Sequence, residues 1–335
     1  EAGAKTTSGD RNIAIGLMAI SSEITTGNDN VAIGCYTGCK LTSGACNVIL
    51  GNQAGSCGVI TGLHNVMSGT CAGFKLTSGC YNTMIGYQAG MCLTTGCDNV
   101  FIGRQIADGA TITGNDNVVI GSNGGDKLTS GCQNILIGLS AGNAITTGNN
   151  NVAIGNAALD ANNTASNNVA IGVNSLTQNS TGTDNVAVGA YALDANTTGD
   201  GNTAIGDNAL GAVTTADNNT AVGKSCLTNN TGTTNTAVGF AAMSACTTGQ
   251  ENVVVGANAL DASTTGSYNT ALGRSALGNA TTASNNTAVG YTALLANTTG
   301  TQNTALGRSA LAANTTGNYN TALGYTAGTA ITTGD

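Results

Sequence analysis

The sequence predicts an all-β fold, a parallel β-solenoid (a β-roll or β-helix) of about 19 coils with ~17 residues in each. Three observations predict it. First, one phrase, Asn-(Thr/Val)-Ala-(Ile/Val)-Gly, recurs with few changes along the whole chain. Its Asn falls at Asn12, Asn30, Asn47, Asn65, Asn82, Asn99, Asn117, Asn134, Asn151, Asn168, Asn185, Asn202, Asn219, Asn235, Asn252, Asn269, Asn286, Asn303 and Asn320, and a Gly follows four residues after every one. Second, of the 18 intervals between these Asn, 14 are 17 residues, three are 18 and one is 16. Third, Pro is absent and Gly numbers 50, which suits uninterrupted ladders joined by tight turns.

Residues 151–167 serve as the unit. Asn151 to Gly155 reads as a short strand closed by a Gly where the backbone turns. A second short strand is expected around Ala158-Leu159. A second turn is marked by (Thr/Ser)-(Gly/Ala), which recurs twenty times at this place in the repeat, from Ser8-Gly9 to Thr333-Gly334, with Ala in place of Gly only at Ala165, Ala216 and Ala283. Seventeen residues cannot hold a helix, a strand and two turns, whereas they fit one coil. At the parallel-strand spacing of ~4.8 Å, nineteen such coils would span roughly 90 Å. Stacking places identical residues in columns. The Asn column then bonds coil to coil and satisfies groups that would otherwise be buried unpaired, and the Thr/Ser column does the same more weakly.

A narrow core of fixed volume requires apolar bulk to be conserved from coil to coil. Coils with Leu eight residues after the Asn (Leu159, Leu176, Leu193, Leu294, Leu311) carry a polar Asn three residues later (Asn162, Asn179, Asn196, Asn297, Asn314). Coils with Ala-Gly there (Ala54-Gly55, Ala89-Gly90, Ala141-Gly142, Ala327-Gly328) carry Ile60, Leu93, Ile145 or Ile331 near the second turn. The second type dominates a Cys-rich zone, 1–150, and the first type dominates 151–335, within one uncapped domain spanning 1–335. The strand is apolar on both faces. The residue before the Gly is Ile, Val or Leu except at Ser68, and is expected to point inward. Its neighbour is usually Ala but becomes Ile49, Met67, Met84, Phe101, Val119 and Leu136 in coils three to eight, an expected outward stripe for association. Residues 2–10 align without a gap on 327–335, so the chain starts and stops at one phase of the coil. That predicts a rod that continues, or subunits stacking head to tail.

The composition excludes several functions. Charged residues are only 8%, the formal net charge is −8, and the nine Lys and Arg form no basic stripe, so nucleic acid is not an expected partner. No apolar run approaches the ~18 residues of a membrane span. His64 is the one His, read as an exposed turn residue, and no catalytic motif, phosphate loop or Cys-x-x-Cys is present. No enzyme activity, cofactor or metal is expected. Of the 11 Cys, Cys80 and Cys97 share one column in adjacent coils, at a spacing that permits a cross-coil disulfide; small buried residues are the equal alternative. Gly27-Asn28-Asp29 and Gly114-Asn115-Asp116 offer oxygen atoms of the type calcium takes. Asn-x-(Ser/Thr) sequons at Asn162, Asn179, Asn196, Asn297 and Asn314 are glycan acceptors in a secretory host and repeat grammar elsewhere.

The phrase Asn-Val-Ala-Ile-Gly, at 30–34, 151–155 and 168–172, resembles the head repeats of trimeric autotransporter adhesins of Gram-negative bacteria, and repeats of bacteriophage tail fibres. That resemblance implies a left-handed parallel β-roll, three copies of which associate. The functional expectation is a structural fibre or adhesin shaft, extracellular or on a cell or virion surface. Its expected partners are copies of itself, as a trimer or a head-to-tail filament, and a host-surface receptor. Ice binding is the alternative. It calls for two outward Thr columns, and the adjacent Thr-Thr pair of this repeat supplies one. A polysaccharide-active solenoid enzyme needs carboxylates clustered on one face, and the 17 acids are dispersed.

Overall fold

The computed structural model describes residues 1–3, 7–21 and 24–334. It is all-β: nineteen short parallel strands build a solenoid with one strand per coil of about 17 residues. Among the described residues no helix is long and apolar enough to cross a membrane. The chain divides into two compact units, Glu1–Asn167 and Asn168–Asp335. The first holds β1 (Ile13–Ile15) through β9 (Val152–Ile154), the second β10 (Val169–Ile171) through β19 (Thr321–Leu323). Within each unit successive strands pair in parallel at a constant register, such as Ile13 opposite Val31 in the first and Thr270 opposite Thr287 in the second. Of the matched end segments, Ala4, Lys5, Thr6 and Asp335 lie outside the described residues.

Residues are conveniently placed by their distance from the ladder Asn, taken as position 0. Most strands cover only positions +1 to +3 because position +4 is a Gly with φ between 122° and 143°. A side chain there is doubly excluded: on Gly189 a Cβ would sit 2.6 Å from the backbone of Gly206 in the next coil. Only β6 (Val100–Arg104), β7 (Val118–Ser122) and β8 (Ile135–Leu139) run on past this glycine.

The ladder Asn from Asn30 to Asn303 are all buried, and their amides bond coil to coil. In the first unit Asn47 Nδ2 donates to Asn30 Oδ1 at 3.1 Å and to the Gly62 carbonyl at 3.0 Å, while its Oδ1 accepts from Asn65 N and Nδ2 at 2.9 and 3.0 Å. Asn252 repeats the pattern in the second unit, donating to Asn235 Oδ1 at 3.0 Å and Gly266 O at 3.0 Å. Removing one such amide strands several buried groups at once, which makes the ladder costly to break.

The second strand expected at Ala158-Leu159 does not form. Positions +6 and +8 are left-handed instead, as at Ala157 (φ 51°) and Leu159 (φ 55°). Coil-to-coil bonding continues without extended geometry, as from Leu193 N to Ala209 O at 3.0 Å. A Leu held left-handed costs roughly 1–2 kcal/mol. Complete burial of the side chain, worth roughly 1.5–3 kcal/mol, offsets it.

The facing of the strands corrects the sequence reading. Ile49, Met67, Met84, Phe101, Val119 and Leu136 are completely buried and form core, not an outward stripe. The residues before the Gly, expected inside, face out. Strand side chains alternate, so position +2 shares the side of the buried Asn, and +1 and +3 take the other. The bulky +2 side chains fill the space that Gly at +8 vacates. A Cβ on Gly90 would lie 2.8 Å from Phe101 Cδ2 and 2.8 Å from Met84 Sδ, and one on Gly142 would lie 2.6 Å from Leu136 Cδ2. Core volume is thus shared between +2, +8 and the residue near +11.

Candidate functional site

The strands present two outward columns of side chains. Position +3 is Ile, Val or Leu in every coil but that of Ser68, and several members stand well clear of the surface, among them Ile15 (56% exposed), Ile33 (40%) and Leu306 (46%). Position +1 divides by unit. It is mainly Val or Ile in the first, as at Val31, Val48 and Ile135, and mainly Thr in the second. Thr270, Thr287, Thr304 and Thr321 stand in register beside Leu272, Val289, Leu306 and Leu323. The first unit therefore carries a largely apolar β face, and the second a face that sets a Thr column beside an apolar one. The parity of the strand relative to the ladder Asn was the signal for this face; reading the recurrent Ile/Val as core concealed it.

Beyond the corner glycine, position +5 is an exposed column of unlike residues. In the second unit it includes Lys224, Phe240, Arg274, Tyr291, Arg308 and Tyr325. Lys224 pairs with Asp207 of the preceding coil at 3.4 Å. The Arg308 guanidinium carbon lies 5.6 Å from the ring centroids of both Tyr291 and Tyr325. That column was not legible as a site in sequence, because its members are 16 or 17 residues apart.

Position +15, just before the turn back to the Asn, forms a third ladder. The backbone N–H of one coil donates to the side chain at the same place in the next: Thr183 N to Asp200 Oδ1 at 2.6 Å, Ser267 N to Ser284 Oγ at 3.1 Å, Thr301 N to Asn318 Oδ1 at 2.8 Å. Here lies the correction for Cys80 and Cys97. Both are free thiols. Cys80 Sγ accepts from Leu63 N at 3.2 Å, and Cys97 Sγ from Cys80 N at 3.2 Å. Cys132 Sγ likewise accepts from Asn115 N at 3.3 Å. The sulfur takes a place that Asn, Asp or Ser takes elsewhere, so a thiol with a lone pair is sufficient there. Cys226 and Cys246 are core residues, and burial pushes their thiols up to about 12 and about 11, which keeps them protonated and inert.

The remaining polar features are also absorbed by the repeat. His64 is exposed and stacks on Tyr81 with ring centroids 5.0 Å apart. Asn28 Oδ1 accepts from Asp10 N at 2.7 Å, and Asp29 pairs with Arg11, whose hydrogen bond holds its carboxyl below the usual range. Asn115 Oδ1 accepts from Cys97 N at 2.7 Å. Asn28, Asp29 and Asn115 are thus already engaged, and among the described residues there is no group of three or more His, Cys, Asp and Glu placed to hold a metal. Asn162, Asn179, Asn196, Asn297 and Asn314 are completely buried, so the sequons are not open to glycans in the folded chain. A surface cleft of ≈ 300 Å³ lies among Gln105, Asp108, Gly109, Asn123, Asp126 and Asn143. Burial, and then a hydrogen bond with Asp126, raises the Asp108 carboxyl to about 6.

Fold and surface together define a repeat-built parallel β-solenoid with in-register outward columns. No protein-family model matches the chain, and a search of curated proteins finds no match.

Proposed function

We propose that the chain is a section of a structural fibre, a rigid adhesin-type or tail-fibre-type shaft displayed outside the cell or on a virion. It associates with further copies of itself, as a trimer or head to tail, and carries a receptor-binding function to a host surface. The observation that supports this most is the exposed apolar column at position +3, repeated in both units and joined in the first by an apolar +1 column. Apolar columns of that extent are what an association surface offers. Buried amide ladders make each coil stiff, which a load-bearing shaft needs, and the reading assigns the chain no catalysis.

Light-scattering mass and electron microscopy test it. The expected result is elongated particles whose mass is a multiple of the 32.6 kDa chain. Val289→Lys with Leu306→Lys, placing charge on the outward face, is expected to lower that mass. A compact particle of single-chain mass at all concentrations defeats the reading. The in-register Thr and Val/Leu columns around β16 (Thr270–Leu272) to β19 favour one second reading, ice binding, more than the adjacent Thr-Thr pairs do. Thermal hysteresis at micromolar chain concentration would select it over the shaft.

A further inference from the structure

The second unit contains three cations in its sequence, Lys224, Arg274 and Arg308, and all three fall in the exposed +5 column. Lys224 is neutralised by Asp207. Arg274 and Arg308 form no ion pair among the described residues. In the last four coils the column reads Arg274, Tyr291, Arg308, Tyr325, a strict alternation of guanidinium and phenol. Backbone bonds on its inner side fix the stagger: Thr292 N donates to Arg274 O at 3.0 Å, Ser309 N to Tyr291 O at 2.9 Å and Thr326 N to Arg308 O at 2.9 Å. The sequence is otherwise acidic, so two unpaired guanidiniums between exposed rings are a local exception.

We propose that this stripe binds an extended acidic polysaccharide in which uronate and neutral sugars alternate. Like residues recur every second coil, an advance of ~9.6 Å at ~4.8 Å per coil, close to the length of one extended disaccharide. Each guanidinium can then take a carboxylate through two parallel N–H···O bonds, which Arg offers and a point charge does not. Each Tyr, one coil further, offers an aromatic face to the C–H face of the neutral sugar and a hydroxyl at its rim. Hydroxyls at +6, with Thr292 Oγ1 and Ser309 Oγ 2.9 Å apart, border the stripe and suit the polymer's own hydroxyls. Single-stranded nucleic acid fits less well, because it requires a continuous basic groove along its backbone. The inference goes beyond the shaft reading and does not depend on self-association.

Calorimetric titration of the full chain with hyaluronan oligosaccharides, which alternate glucuronate and N-acetylglucosamine, tests the proposal. Binding is expected to weaken at least tenfold in R274Q/R308Q and in Y291A/Y325A, and less than twofold in K224Q. It should also weaken as salt is raised, and the neutral N-acetylglucosamine hexamer should bind at least tenfold more weakly. All four stripe side chains are exposed, so unchanged circular dichroism is expected and separates lost binding from lost fold. No hyaluronan binding, binding indifferent to R274Q/R308Q, or equally tight binding of oligothymidylate through the same residues would each overturn it. Light-scattering mass on the same samples keeps the two readings apart: a monomer that binds hyaluronan defeats the shaft and leaves the stripe.

Discussion

The two units fill the same narrow core by opposite routes. In coils three to eight of the first, bulk enters from the strand at +2, and +8 is reduced to Gly, or to Ala107 in the coil of Phe101. Through most of the second, +2 is Ala and bulk enters at +8 as Leu176, Leu193, Leu210 and their successors. The first route places Gly where the backbone is left-handed and spends no strain there. The second accepts a strained Leu, or Met243 in one coil, at +8 in all but the last coil and recovers the cost by burying it. A solenoid coil is therefore defined by its volume and its ladder bonds, not by which wall of the coil supplies the volume.

Converting one coil to the other type gives the largest expected effect. Leu136→Ala should cost about 3 kcal/mol by opening a cavity. Gly142→Leu alone should cost a similar amount, about 3 kcal/mol, since its side chain meets Leu136 and Ile145 and its backbone is left-handed at φ 56°. Together they should cost about 2 kcal/mol less than their sum, because each substitution removes the other's fault. Hydrogen exchange of amides in the flanking coils reads this locally, which suits a repeat chain whose coils respond mainly to their neighbours. Strict additivity would show that the two routes are not exchangeable.

The polar column at +11 sharpens the contrast at smaller scale. Asn196 Nδ2 donates to Asn179 Oδ1 at 3.0 Å, yet Asn196 Oδ1 is buried with no hydrogen-bond partner. The residue at the same place in the next coil is Val213, also buried. Val213→Asn would present a donor to that oxygen and connect the run to Asn230. The expected gain is about 1 kcal/mol, the cost of an unmet buried acceptor less the apolar contact given up. A loss of stability in urea titration would mean that Val213 contributes more by packing than Asn196 loses by standing alone.

Period, parallel stacking and the Asn column were legible because each depends on spacing alone. Facing was not, because a strand of three residues with apolar side chains at both +2 and +3 reads the same from either side. Only the common side of Asn47 and Ile49, or Asn134 and Leu136, settles it. The second strand was misplaced for a related reason: Ala158-Leu159 looks extended by composition, and nothing in a Leu announces a left-handed φ. Cys80 and Cys97 were paired by their column, but the column's need was for an acceptor facing the preceding N–H. The Arg–Tyr stripe was invisible until coils were stacked.

The acids at +9 give the last and smallest contrast. Asp108 and Asp126 stand in adjacent coils of the first unit and share a hydrogen bond, whereas burial raises Asp194 and Asp261 of the second and backbone hydrogen bonds oppose it. Burial raises Asp108, Asp194 and Asp261, but only Asp108 reaches about 6, from an ordinary 3.8. A carboxyl raised in the folded state holds its proton more tightly there, so its contribution favours folding below about pH 4 and is lost as the pH rises through about 6. Two pH units would be worth ~3 kcal/mol in a fully buried site, but Asp108 is only half-buried, and screening by solvent reduces this to roughly 0.5 kcal/mol. Asp108→Asn should therefore stabilise the surrounding coils by that amount at pH 7, leave them unchanged at pH 4, and flatten the slope between. Hydrogen exchange at Gly109, whose N–H donates to Asp126 O at 3.1 Å, is the local readout. An unaltered slope in the variant would transfer the pH dependence to another group.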